Sequence, residues 1–425
     1  MRTTSLAQQL AVTGSLPKLG ARNRAPVRIG FLTPLSGDQE YWGRTGLDGA
    51  RLWVDWINDR GGMLIAGKRH RVEVVAHDSA AGADAVLDAA QEMVNHDRVK
   101  LILTLGGDGF APALPWLMAR RALVATLLPS DLSPDTPYMI APAEVHPLFN
   151  VTGVDWLART RPRARRVALC SQTDLLGLPS LAVYRAAFEV ADRQILREIR
   201  YAPGEADVDA MVAAMLADAP DLLCWCSSPP PMIQALTEAA FRQGFTGQIL
   251  SCTADDYPRM IARTSPAFME GYTFQFPDFD DPELADTAFF FNRPKAFFDS
   301  YNARFPGQWS AVSWEYASIL DLWQNAVESA DTTEPVTVLA AMKRGQQMEH
   351  AFGPARWWGT GIFGIDNALV GDWPVVTICD GRARIAEFGS VPDWLARNEA
   401  LLERHMAALG QMWHQRMRPG FNLPA

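Results

Sequence analysis

Several things are missing from this 425-residue chain, and each absence excludes a class of protein. No run of apolar residues approaches the roughly 20 needed to span a bilayer, so no stable membrane insertion is expected. No glycine-rich phosphate loop with its lysine is present, and neither is G-x-S-x-G or H-E-x-x-H. Gly106-Gly107-Asp108-Gly109 is not a dinucleotide fingerprint. His70, His77, His96 and His146 lie on separate segments without metal-ligand spacing. The pattern points away from an enzyme and calls for no cofactor and no metal. Lys and Arg are scattered and the formal net charge is −9, which argues against a nucleic-acid partner.

Cysteine is scarce too. The five residues Cys170, Cys224, Cys226, Cys252 and Cys379 are odd in number and lack the spacing of a disulfide framework. Cys170, Cys226 and Cys252 are expected at neighbouring strand ends as small buried thiols without metal. The first 25 residues contain Arg2, Lys18, Arg22 and Arg24, no acid, and no apolar stretch longer than Leu10-Ala11-Val12. That is not the apolar core of a secretory signal. An atypical or misassigned start, an unusual export signal and a cytoplasmic protein all remain open, and the segment is expected to be a mobile tail.

What the chain does have is rhythm. A strand is predicted over Val27–Leu32, then a helix with Leu47, Ala50, Val54 and Ile57 on one face, stopped by Gly61-Gly62. Strands at 71–76, 99–105 and 122–128 alternate with helices at 83–94 and 112–120. The unbroken apolar run 99–105 is what a strand covered on both faces requires. A second series follows a helix at 145–158. Its strands fall at 167–170, 195–201, 222–226 and 249–252, and its helices at 181–191, 208–217 and 232–243. Two βα series imply two doubly wound α/β lobes with right-handed crossovers. An extended segment at 272–276, helices at 289–305 and 314–327, and a glycine-punctuated hairpin region at 357–388 complete the body.

The stretch Pro34-Leu35-Ser36-Gly37 … Tyr41-Trp42-Gly43 … Gly46-Leu47-Asp48-Gly49-Ala50-Arg51 … Asn58-Asp59-Arg60-Gly61-Gly62 closes the first strand and opens the helix behind it. Its order resembles the first lobe of type I periplasmic binding proteins, the leucine/isoleucine/valine-binding protein family of ABC importers. The resemblance spans roughly residues 26–390 and is diffuse after the first forty of them. It implies two Rossmann-like lobes with a cleft between them. Lobe 1 would hold 26–143 and 275–350, and lobe 2 would hold 144–274 and 351–390. Residues 391–425 lie beyond the pattern as a helical extension. Its stripe of Trp394, Leu395, Leu401, Leu402, Met406, Leu409, Met412 and Trp413 fits either a partner surface or a helix docked on its own body.

In an open α/β sheet the ligand sits beyond the C-terminal strand ends. The rim of lobe 1 then carries Tyr41, Trp42, Gly107, Asp108 and Ser130, and that of lobe 2 carries Ser171, Ser228, Thr253 and Asp255. By the resemblance, Trp42 stands at the cleft tryptophan, Gly107 in a loop that usually offers hydroxyls to a ligand carboxylate, and Asp255 near an acid that holds a ligand ammonium. Each also has a plainer role available. Trp42 could cap a helix surface, the glycines could serve a tight turn, and Asp108 and Asp174 could cap helices. The resemblance implies a solute-binding protein that delivers a small polar molecule (amino acid, amide or related compound) to an ABC importer permease in the periplasm. A cytoplasmic ligand sensor of the same fold, controlling a regulatory protein, is the alternative.

Overall fold

The computed structural model describes residues 25–143, 145–282, 284, 293–344 and 347–416. The chain begins with β1 (Val27–Thr33) and continues through β2 (Met63–Ile65), β3 (Lys68–His70), β4 (Val72–Asp78), β5 (Leu101–Thr104), β6 (Val124–Thr126) and β7 (Met139–Ile140). Five of these make a parallel sheet in the order β4-β1-β5-β6-β7, while β2 and β3 form a separate hairpin. All four residues of β5 are buried, as its uninterrupted apolarity demands.

The helix Glu40–Asp59 follows β1 and buries Trp42, Leu47, Ala50, Trp53 and Ile57. It packs on the helix Ala311–Ala330. Gly49 permits that approach, because a Cβ there would lie 2.1 Å from the Ser313 carbonyl oxygen. The late helix Ala311–Ala330 therefore belongs with the first sheet, although the second sheet's strands intervene in sequence.

The second sheet uses β8 (Arg166–Gln172), β9 (Gln194–Tyr201), β10 (Leu222–Trp225), β11 (Gln248–Ser251) and β12 (Thr273–Phe274), then β13 (Gln347–His350), β14 (Gly353–Trp358), β15 (Ala368–Cys379) and β16 (Arg382–Ser390). Its order is β13-β14-β15-β12-β11-β10-β8-β9, with β16 paired to β15. Strands β8 to β12 are parallel, and β15 lies antiparallel to β12. Two sheets with helices around them make the two-lobed α/β architecture that the alternating pattern implied. They touch where Ala141, just past β7, exchanges backbone hydrogen bonds of 2.9 Å with Asn367 and Leu369.

Cys170, Cys226 and Cys252 are buried and in no disulfide, near the ends of β8, β10 and β11. The helix Val391–Ala408 buries Trp394, Leu395, Leu402 and Met406 and packs on the helix Gly177–Val190. Arg404 and His405 both reach Glu189 of that helix, at 2.6 and 2.8 Å. The apolar stripe of the extension is thus intramolecular packing. Residues 1–24 and 417–425, and positions 289–292 of the helix expected from 289, lie outside the described residues; that helix runs Pro294–Arg304.

Some expectations shift. The helix expected from 145 starts at Asn150, since Pro147 lies in the turn before it. The helix expected over 83–94 ends at Glu92 and widens into a π turn at Met93–Asp97. The β2–β3 hairpin gives no sequence signal beyond the Gly61-Gly62 helix stop that precedes it. Its strands are three residues each, too short to show any alternation.

Candidate functional site

Between the sheets lie two neighbouring spaces. The outer one is a cleft of about 570 Å³. Its first-lobe wall consists of the loops 34–39, 79–80 and 106–109, and its second-lobe wall of the loops 172–176 and 201–208 and the start of the helix Pro230–Arg242. The inner one is a chamber of only about 10 Å³ among Trp42, Leu105, Leu127, Leu128, His146, Leu176, Ser227, Ser228, Cys252, Thr253, Phe276 and Val312. Leu128 and Leu176 line both spaces.

Trp42 is the large rigid wall of the inner chamber and only 3 % exposed. It rides on the first turns of the helix Glu40–Asp59, yet its indole Nε1 donates to Asp255 Oδ2 of the other lobe at 3.1 Å. Thr253 Oγ1 donates to the same carboxylate oxygen at 2.5 Å. Burial pushes the Asp255 carboxyl above the ordinary aspartate range, and these two donors oppose the shift. Ser228 lines the chamber with its hydroxyl bonded to the Tyr201 phenol. Ser227 lines it with a buried hydroxyl oxygen that has no hydrogen-bond partner.

Gly107 and Asp108 line the outer cleft. Gly106 and Gly107 have φ of +92° and +79°, a turn that other residues adopt only with strain. The Gly107 N–H donates to Asp131 Oδ2 at 2.8 Å, so a neighbouring carboxylate engages it. Asp108 is exposed. Across from it, Asp174 accepts from the Leu176 and Gly177 N–H groups and so caps the helix Gly177–Val190. The Asp174 carboxyl sits above its ordinary range, chiefly through burial and in smaller part through the field of Asp108.

Four of the expected rim residues stand elsewhere. Tyr41 lines neither space, and its hydroxyl donates to the Trp309 carbonyl at 2.9 Å. Ser171 is fully buried, with its hydroxyl on the Gln172 carbonyl at 3.1 Å. Ser130 lies at the seam between the lobes; its hydroxyl donates to the Leu175 carbonyl at 3.2 Å, and its own carbonyl accepts from Arg416. Asp255 stands behind the chamber wall rather than in it. Leu128 lines both spaces from the rim loop 128–130 that the strand ends point to, whereas the walls Leu176 and Phe276 and the acid Asp38 carry no signal that singles them out in the sequence.

Residues 26–382 match the family model described as periplasmic binding protein. The chain belongs to that family. Its two lobes have the type I fold of the leucine/isoleucine/valine-binding kind. A leucine-binding protein of Thermotoga maritima superposes with a TM-score of 0.65 at 17 % identity, covering 86 % of this chain and 99 % of that one. A solute-binding protein of an ABC transporter from Rhodopseudomonas palustris, solved with 3,4-dihydroxybenzoic acid, gives 0.68 at 18 % identity, over 86 % and 97 %. A branched-chain amino acid transporter substrate-binding protein of Streptococcus pneumoniae, solved with isoleucine, gives 0.64 at 17 %, over 86 % and 99 %. Each of these three is a leucine-, solute- or substrate-binding protein. No described helix of this periplasmic binding protein is long and apolar enough to cross a membrane.

Proposed function

We propose that this protein captures a small polar solute between its lobes and delivers it to the permease of an ABC importer, acting in the periplasm. The observation that carries the reading is a cleft of about 570 Å³ walled by loops of both lobes, with Trp42 of one lobe hydrogen-bonded to Asp255 of the other beside the small chamber next to it. Neither lobe alone encloses that space, so a bound solute gains contacts only when both walls engage it. Trp42 supplies the apolar wall, Ser227, Ser228 and Thr253 the hydroxyls at depth, and Gly107 and Asp108 the rim. The lobes come close to the sequence division, 26–143 with 275–350 and 144–274 with 351–390, except that β13 (Gln347–His350) pairs in the second sheet. The packing of Ala311–Ala330 on Glu40–Asp59 supports that division.

A thermal-shift screen over amino acids, amines, amides, polyols and aromatic acids tests the reading. A ligand at about 100 times its dissociation constant stabilises the folded state by about 2.7 kcal/mol. Raised melting by one chemical class supports solute capture. A flat response across all classes contradicts it. Cell fractionation tests the compartment, and a periplasmic fraction is expected.

A further inference from the structure

The charge of the cleft is one-sided. Its titratable carboxylates are Asp38 and Asp108 from the first lobe and Asp174 from the second. Among the described residues no Lys, Arg or His lines it. Asp38 and Asp108 are exposed, and the three groups that donate to Asp174 are the Leu176 and Gly177 backbone N–H and the Gln172 amide, none of them charged. A cleft with low-dielectric walls focuses such a field on whatever enters.

The backbone reinforces the bias. In the loop after β5 the Gly107 N–H is the kind of donor an entering carboxylate would use. Here Asp131, 3 % exposed, already places Oδ2 on it at 2.8 Å. An entering carboxylate would have to displace that bond and would meet like charge without a cation to offset its desolvation. In the inner chamber the one basic side chain among the described residues is His146, whose Nε2 lies 3.4 Å from the Leu176 carbonyl. Behind the indole stands the Asp255 carboxylate. The chamber does hold an unspent group of another kind. The Ser227 hydroxyl oxygen is buried, 2 % exposed as a residue, and without a partner, so it suits the uncharged polar end of a ligand.

Resting on the solute-capture reading, we infer that the cleft selects a solute bearing a cationic amine and no free carboxylate. Its charged end lies among Asp38, Asp108 and Asp174, and its uncharged end abuts Leu128 and Leu176, the side chains that the cleft shares with the chamber of Trp42 and Ser227. A zwitterionic amino acid or a benzoate is disfavoured by the same groups.

Matched probes separate charge from shape. Benzylamine, benzyl alcohol and benzoate share one ring, and butylamine, butanol and butyrate one chain; putrescine, agmatine and leucine complete the set. Each is measured by thermal shift and then by calorimetric titration against wild type, Asp108→Asn and Asp174→Asn. Asparagine is itself a good helix cap, so the second variant retains the N-terminus it caps. The expected order within each matched set is amine, then alcohol, then carboxylate. The leading amine should weaken about tenfold in each variant and weaken further with added salt. A carboxylate or leucine leading its set overturns the inference and leaves solute capture standing. An amine whose affinity ignores both substitutions also overturns it. Silence from every probe, together with a flat response in the wider screen, removes the solute-capture reading and this inference with it.

Discussion

At the scale of single residues, Trp42 joins the two lobes in one side chain, with its ring in the chamber and its Nε1 on Asp255. Replacing it with Ala removes an apolar wall worth on the order of 2 kcal/mol and should weaken solute binding about tenfold or more while the fold persists. Calorimetric titration of both proteins checks this, and equal affinities would place the site elsewhere. The place of Trp42 beside the inner chamber follows from the strand-to-helix mouth that the sequence shows. Those of Tyr41, Ser130 and Ser171 do not, because sequence fixes which loop a side chain is on but not which way it turns. Each spends its hydroxyl on a backbone carbonyl, a partner that no spacing rule reveals.

Asp278 gives a test by pH. Burial, with smaller contributions from Asp280 and Asp255, pushes its carboxyl up to about 7. A free aspartate titrates near 4. Between those values the folded protein holds a proton that the unfolded chain has lost. Stability from this group is therefore present below about pH 4 and is lost as pH rises toward 7. Asp278→Asn should raise the melting temperature at pH 8, by a stability increment on the order of a few kcal/mol, and leave it nearly unchanged at pH 4. Thermal melts at both pH values check it; an equal change at both would mean that the charge of Asp278 is not the cause.

At the scale of elements, close packing of two helices holds the first lobe's face. Gly49→Leu would drive a Cβ toward the Ser313 carbonyl, 2.1 Å away. Overpacking of this kind costs about 1–3 kcal/mol or more, so the variant should melt well below wild type. A match to wild type would contradict the close approach. The C-terminal helix offers a second comparison. Leu402 is fully buried, whereas Glu189 meets Arg404 and His405 at the surface. Leu402→Ala should cost about 2–5 kcal/mol, and Glu189→Gln less than about 1. Denaturant melts decide between them, and the reverse ranking would mean that the helix is held by charge rather than by packing.

The long elements were legible because their apolar periods are unambiguous, as in β5 and the helix Glu40–Asp59. The β2–β3 hairpin and β13 were not, since a strand of three or four residues carries too little pattern to distinguish it from a turn. The docking of Val391–Ala408 was legible only as an apolar stripe. Which surface it covers is a long-range contact, and no local signal encodes that.

At the scale of the whole molecule, two parallel-cored sheets face each other across one cleft, and the function follows from that arrangement more than from any single group. Trp42–Asp255 and Ser130–Leu175 link the faces beside the inner chamber and at the seam, while the outer walls enclose a cleft of about 570 Å³. A solute bridging them substitutes for water along both walls and buries apolar surface against Trp42, Leu128 and Leu176. The most direct measurement is a calorimetric titration, at several temperatures, of the wild-type protein with the compound that most raises its melting temperature in the screen. The expected result is one site per chain and a negative heat-capacity change, the mark of apolar burial between the lobes. Absence of saturable heat, or several weak sites with no heat-capacity change, would contradict interlobe capture.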